Sequence, residues 1–247
     1  MLDYALQYAA IGWHVFPVWG AKDGKCKCRR MCKSPAKHPV EHLVPQGQDN
    51  ATTDPATIRR WWSQMPDAGI AAFLKPSGLC AIDIDPRNGG FLTMETLEAK
   101  HGALVSDVLQ YTQGGGEHRV FKLTGDLQLP GKLGAGVDVK RNGYIVLAPT
   151  KGCSGVYDWE ASSDPLEGSI PSPLPDWIRD IGSPQTQQTE ILPAARIVVP
   201  AQIEELRDAL SHLPADDRDT WIRYGLALHA LGQAGFDLWC EWSKKSP

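Results

Sequence analysis

No apolar run in this sequence approaches the roughly 18 residues that a membrane-spanning helix needs. The N-terminus, MLDYALQYAAIGWHVF, has neither a basic start nor a small-residue cleavage site, so no secretory signal is expected. The expected location is the cytoplasm. Cysteines there stay reduced or bind metal, and the six present do not read as a disulfide framework. Excess positive charge is also missing. The 25 Lys and Arg stand against 29 Asp and Glu, a formal net charge of -4. That excludes a protein coated in basic residues but leaves room for a local basic patch on nucleic acid. No internal repeat is present, which sets aside a repeat architecture.

What is present suffices for one sizeable core and a second, small one: 247 residues, 42% of them hydrophobic. Leu2 to Ile11 carries apolar residues at helical spacing, and His14 to Val18 reads as a short strand. Residues 19 to 51 form a long loop rich in Lys, Cys, Pro and Gly. A loop of that length in a compact domain is functional or tied down. Asp54-Pro55 is a helix start, with an N-cap aspartate and proline at the first helical position. In that helix Trp61 and Trp62 are adjacent and cannot face the same way, so one is assigned to the core. Strands are predicted at 69–73, 79–85, 108–112, 118–123, 136–140 and 144–148, with 156–159 closing the sheet and a helix over 91–100. The fold class is therefore α+β, with a central mixed or antiparallel sheet flanked by helices.

From Pro171 the composition shifts to Pro, Ser and Gln, which marks a linker with one short helix near Trp177. From Ala201 the pattern is helical throughout, and Trp221, Trp239 and Trp242 form the core of a small module. The expected boundaries are 1–170, linker 171–200 and helical module 201–247. The closing KKSP reads as the cut end of a longer protein.

The run AIDIDPRNGG places two aspartates in an apolar strand. Alternation puts Ala81, Asp83 and Asp85 on one face and Ile82 and Ile84 on the other. Two carboxylates at i and i+2 reach one cation or bridge two, and buried carboxylates need such a partner. The competing reading is a strand end with solvated aspartates before the turn Pro86-Arg87-Asn88-Gly89. GVDVKRNGYIVLAP repeats the pattern, with Asp138 between Val137 and Val139 and Lys140 on the same face. QGGGEHRVF sets His118 behind three glycines. Glycines such as Gly115 and Gly116 let a backbone approach a ligand, and successive N–H groups form an anion nest. Carboxylates for divalent metals, with Arg119, Lys140 and backbone amides for a triphosphate, are the parts phosphoryl chemistry needs.

The long loop contains C-x-C-x3-C-x5-H, formed by Cys26, Cys28, Cys32 and His38, with His42 as reserve ligand. Four such donors suit a tetrahedral structural zinc; scattered reduced cysteines are the alternative. The segment Lys22–His42 has no apolar set from which to build its own core. Its Lys22, Lys25, Lys27, Arg29, Arg30, Lys33 and Lys37 face only Asp23 and Glu41, so it is either a solvated charged run or a surface for template phosphates. Cys80, Cys153 and Cys240 read as structural.

In their order, ATTDPATIRRWW, GKCKCRRMCKSPAKHP, AIDID, GGGEHRVF and GVDVKRNGYIVLAP resemble the primase–polymerase (Prim-Pol) family of the archaeo-eukaryotic primase superfamily, over roughly residues 3 to 160. The tail, LPADDRDTWIRYGLALHALGQAGFDLWCEWSKKS, is similar to the helical primase C-terminal module that follows such domains in phage and plasmid proteins and commonly leads on to a helicase. The resemblance implies that Asp83, Asp85 and Asp138 bind two Mg²⁺ or Mn²⁺ ions and that His118 contacts the incoming nucleotide. The second acid of the pair is often Glu in relatives; here it is Asp. The implied function is a DNA-dependent primase/polymerase that builds primers on single-stranded DNA from NTPs or dNTPs. Two rivals stand beside it: a metal-dependent nuclease or phosphoesterase, and a non-catalytic DNA-binding replication initiator.

Overall fold

The computed structural model describes residues 1–123, 125, 127–181, 200–213, 215, 220–221, 224–225, 228 and 231–244. The chain divides into two compact units, Met1–Thr186 and Gln187–Pro247.

In the first unit, helix α1 (Leu2–Ala10) buries Ala5, Tyr8 and Ala9, the spacing of a one-faced helix. Strand β1 (His14–Val18) follows, then a short hairpin of β2 (Ala21–Lys22) and β3 (Lys25–Cys26). Helix α2 (Pro55–Gln64) begins as its sequence dictates: the Asp54 side chain accepts from the N–H groups of Ala56 and Thr57. It buries both Trp61 and Trp62, not one of them. Trp62 Nε1 donates to the Ala68 carbonyl at 3.2 Å, so the second indole is buried with its polar atom satisfied.

Two antiparallel sheets follow. The smaller has the order β1-β4-β10, where β4 is Gly69–Phe73 and β10 is Tyr144–Leu147. The larger is built from β5 (Leu79–Ile84), β6 (Val108–Tyr111), β7 (Glu117–Lys122), β8 (Lys132–Gly134), β9 (Val137–Lys140) and β11 (Asp158–Trp159). Its order is β11-β6-β7-β5-β9-β8, with antiparallel pairing throughout. Helices α3 (Gly90–His101) and α4 (Asp176–Ile181) complete the unit.

Strand alternation assigns the side chains of β5 to two cores. Leu79 and Ala81 join Val108, Val120, the smaller sheet, α1 and α2. Cys80, Ile82 and Ile84 join Phe121, Val137 and Val139, with Met94 of α3 and Ile178 of α4. The larger sheet is thus covered on both faces, and Asp83 belongs to the Ala81 face. The long loop contributes to the first core. Val40 and Val44 are fully buried there.

The short helix near Trp177 is α4; residues 182–199 of the expected linker lie outside the described residues. In the second unit, α5 (Pro200–Ser211) and α6 (Gly232–Ser243) contribute to a core of Leu210, Ala215, Leu228, Leu238 and Trp242. Trp221 and Trp239 pack at 4.3 Å between ring centroids. Among the described residues no helix is long and apolar enough to cross a membrane.

Candidate active site

The site is a row across the larger sheet. Asp83 in the central strand β5 lies opposite His118 of β7 on one side and opposite Asp138 of β9 on the other. Gln110 of β6 lies opposite His118, and Lys132 of β8 opposite Asp138. Directly paired residues share a face, so three separate motifs converge on one. Two residues along the strands, Lys140 pairs with Ala81 on the same face.

This face floors a cleft of about 720 Å³. Asp83, His118 and Lys140 form the floor; Lys33 to Lys37 of the long loop, Tyr144 to Val146 of β10 and Thr112 to Gly114 also line it. Each aspartate is paired with a cation. Asp83 is bound by the Lys140 ammonium. Asp138 faces Lys132 Nζ at 3.4 Å. Asp85 stands just beyond β5 and caps the turn that follows. It accepts from the Arg87 backbone and guanidinium, at 2.9 to 3.0 Å, and from the Asn88 amide at 3.0 Å. Asp85 lines the cleft with its carboxylate turned toward Arg87, Asp138 is not among the residues that line it, and the three aspartates do not form a donor group around one point.

Burial would raise the pKa of Asp83, but the surrounding positive charge, His118 and Lys140 first, outweighs it and holds the carboxyl below its ordinary value. Burial pushes His118 down to about 4, so it is neutral at pH 7 and the balance there falls to Lys140 and Lys37. Lys37 is itself pushed down by burial, a cation partly withdrawn from water into the cleft wall. The Arg87 hydrogen bonds hold Asp85 low.

The glycine turn works differently from the nest expected of Gly115 and Gly116. Gly114 lines the cleft, whereas Gly115 is exposed at the turn with φ +78°. Gly116 is a steric necessity: a Cβ there would lie 2.3 Å from the carbonyl oxygen of Ile84, the residue between Asp83 and Asp85. Arg119 is not in the cleft. Alternation turns it to the opposite face, where it binds Glu98 at 2.7 Å, Glu117 at 3.1 Å and the Leu104 carbonyl at 2.8 Å. Close backbone approach, unmarked by any motif, recurs beside Asp85. Cβ atoms at Gly90 or Gly136 would meet backbone atoms at 2.5 to 2.8 Å.

The expected zinc ligands do converge. Single donor atoms of Cys26, Cys28, Cys32 and His38 lie within 4.8 Å of one another, the one such group among the described residues. Cys26 Sγ is 3.5 Å from His38 Nε2, and Cys28 Sγ is 3.6 Å from Cys32 Sγ. A tetrahedral zinc with bonds of about 2.3 Å to sulfur and about 2.05 Å to nitrogen sets such pairs about 3.6 Å and 3.8 Å apart. His38 is oriented from behind: Nδ1 is 3.2 Å from Glu41 Oε1, and Glu41 Oε2 accepts from Trp19 Nε1 at 3.0 Å. That arrangement leaves Nε2 for a metal. A hydrogen bond from the Arg30 backbone draws the Cys28 thiol down to about 7, favouring thiolate. His42 lies outside the group, with its ring 6.1 Å from Trp19.

Cys32 and His38 bracket the stretch Lys33 to Lys37 that walls the cleft. Tyr144 of β10 donates to the Lys37 carbonyl at 3.0 Å, which fastens the wall to the smaller sheet. Of the loop's cations, Lys27 is diverted to Asp67 at 2.6 Å. Arg29 and Arg30 are exposed.

Sequence reading missed Gln110 and Tyr157. Tyr157 lines the cleft, and its ring stacks 6.3 Å from that of His118. Gln110 is fully buried. Its one signal was a polar residue at the inward position of the strand Val108–Tyr111, two ahead of the glycine turn.

A family model for the N-terminal domain of bifunctional DNA primase/polymerases (Prim-Pol) matches residues 5–177, and one for the primase C-terminal domain PriCT-2 matches residues 206–247. A comparison with curated proteins finds no significant match. The first match spans well over half the chain, including the strands that carry AIDID, GGGEH and GVDVK; the chain belongs to the bifunctional DNA primase/polymerase family.

Proposed function

We propose that this chain is a DNA-dependent nucleotidyltransferase that starts and extends primers on single-stranded DNA. The observation that carries this reading is the register row His118–Asp83–Asp138, of which His118 and Asp83 line a cleft together with Lys140 and Lys37. Asp83, Asp85 and Asp138 are the ligands for Mg²⁺ or Mn²⁺. The donor set fits in kind: three carboxylates, each paired with a cationic side chain, call for positive charge. Divalent ions held there supply activation of a 3′-hydroxyl and charge neutralisation on the triphosphate.

The chain's own residues do the rest. Lys140 and Lys37 hold the triphosphate, and their partial burial strengthens each contact. His118, neutral and inside the cleft, donates a hydrogen bond to it. Cys26, Cys28, Cys32 and His38 hold a structural zinc that fixes the Lys33–Lys37 wall, and the exposed Arg29 and Arg30 meet template phosphates. Residues 1–170 form the catalytic domain. Residues 201–247 form a helical module that assists initiation and leads toward a helicase partner.

The test is incorporation of labelled NTPs or dNTPs on a primerless single-stranded template with Mg²⁺ or Mn²⁺. Products that grow from the template support the reading. Template degradation without incorporation identifies a nuclease, and metal-independent DNA binding without either identifies an initiator.

A further inference from the structure

Gln110 is a neutral amide sealed inside the sheet, and such a group is costly to bury unless every polar atom is matched. Its orientation is fixed by two backbone groups of fixed polarity. The Ala148 N–H donates to Oε1 at 2.7 Å. On the other side Nε2 lies 2.8 Å from the Val146 carbonyl oxygen. An N–H only donates and a carbonyl only accepts, so a flipped amide would oppose donor to donor and acceptor to acceptor. Both of its anchors come from the end of β10 and the residue after it, a segment of the smaller sheet.

The same Nε2 lies 3.0 Å from His118 Nδ1. A primary amide nitrogen has two hydrogens. One goes to Val146 and the other points at Nδ1, which must offer a lone pair. In a neutral imidazole the proton then resides on Nε2. That nitrogen lies in the cleft, 3.6 Å from Asp83 Oδ1. Tyr157 stacks on the ring and restricts its rotation.

We infer that Gln110 is a positioning residue that locks His118 as the Nε2–H tautomer, so that the ring presents a fixed donor to an anionic oxygen of the bound nucleotide. In this state Nε2 has no lone pair, so His118 neither ligates a metal nor accepts a proton from the attacking hydroxyl. The identity of the acceptor rests on the function proposed above; the tautomer does not. Gln110 also ties the site to the smaller sheet, because its anchors lie at Val146 and Ala148.

The test is a long-range ¹H–¹⁵N correlation spectrum of the full chain labelled at histidine, with and without nucleotide and Mg²⁺. The expected result is a proton on His118 Nε2, an unprotonated Nδ1, and movement of the Nε2–H resonance when nucleotide is added. Gln110→Met keeps the volume but removes the donor. It should release the tautomer and raise the nucleotide KM by on the order of tenfold, the worth of one hydrogen bond, with a smaller change in kcat. A proton on Nδ1 in the unmodified protein overturns the inference without any variant. So does Gln110→Met with the Nε2–H tautomer and the parent KM, or an active protein whose Nε2–H resonance ignores nucleotide. A protein that makes no primer refutes the proposed function instead, while the spectrum still decides the tautomer.

Discussion

Gly116→Ala tests whether the glycine turn serves the site through packing. The new Cβ would lie 2.3 Å from the Ile84 carbonyl oxygen, 3.0 Å from Pro86 Cδ and 3.3 Å from Thr112 Oγ1. The first contact is with backbone, so no side-chain rotation relieves it. Either β7 or the end of β5 must move by about 1 Å to restore an ordinary separation of roughly 3.3 Å. Overpacking of this kind costs roughly 1–3 kcal/mol. At about 2–4 °C per kcal/mol for a unit of this size, the melting temperature should fall by roughly 2–12 °C. The larger effect is on chemistry. Ile84 sits between Asp83 and Asp85, so a shift there displaces both carboxylates, and about 1 Å of misplacement costs on the order of 10²-fold in rate. The assay is nucleotide incorporation alongside thermal melting, with Gly131→Ala as control, since its Cβ would meet open space. If Gly116→Ala melts and incorporates nucleotide like the parent, the packing of β7 against the end of β5 does not position the carboxylates.

Alanine at Asp83, Asp85 or Asp138 should each abolish incorporation while the circular dichroism spectrum stays native; near-normal activity of Asp83→Ala sinks the assignment of the metal ligands. His118→Ala should weaken nucleotide binding far more than Mn²⁺ binding, measured by separate titrations. Protein purified without chelator should contain one zinc per chain by elemental analysis. Because thiolates are the ligands, that zinc should be lost as pH falls and the cysteines take up protons. Cys28→Ser should weaken template binding but spare Mn²⁺ binding, and freely titratable cysteines in the unmodified protein would show that the loop is held by something else. A chain ending at residue 182 should extend an existing primer yet start new ones poorly; equal loss of both would place the helical module inside the catalytic fold.

Much of the fold was legible locally. Asp54-Pro55 determines a helix start because it satisfies backbone donors within three residues. The alternation in AIDID places Asp83 apart from Ile82 and Ile84 through a backbone period of two, whatever surrounds the strand. The spacing of Cys26, Cys28, Cys32 and His38 confines four donors to one short loop, which the structure gathers into a tetrahedral-sized group.

Other features needed the tertiary structure. That Asp83 faces both His118 and Asp138 depends on which strands flank β5, and register between distant strands is set by the fit of two cores rather than by any local signal. Asp85 shares the sequence pattern of Asp83 but lies beyond the strand end, where the Arg87 backbone N–H and guanidinium hydrogen-bond its carboxylate. Arg119 follows His118 directly and lies on the other face for the same period-two reason, yet only the position of α3 supplies Glu98 as its partner. Gln110 acquires meaning only where β10 brings Val146 and Ala148 against it. A side chain's chemistry is written in the sequence, but the groups that orient the Gln110 amide come from residues 36 and 38 positions away, which only chain folding places within hydrogen-bond distance.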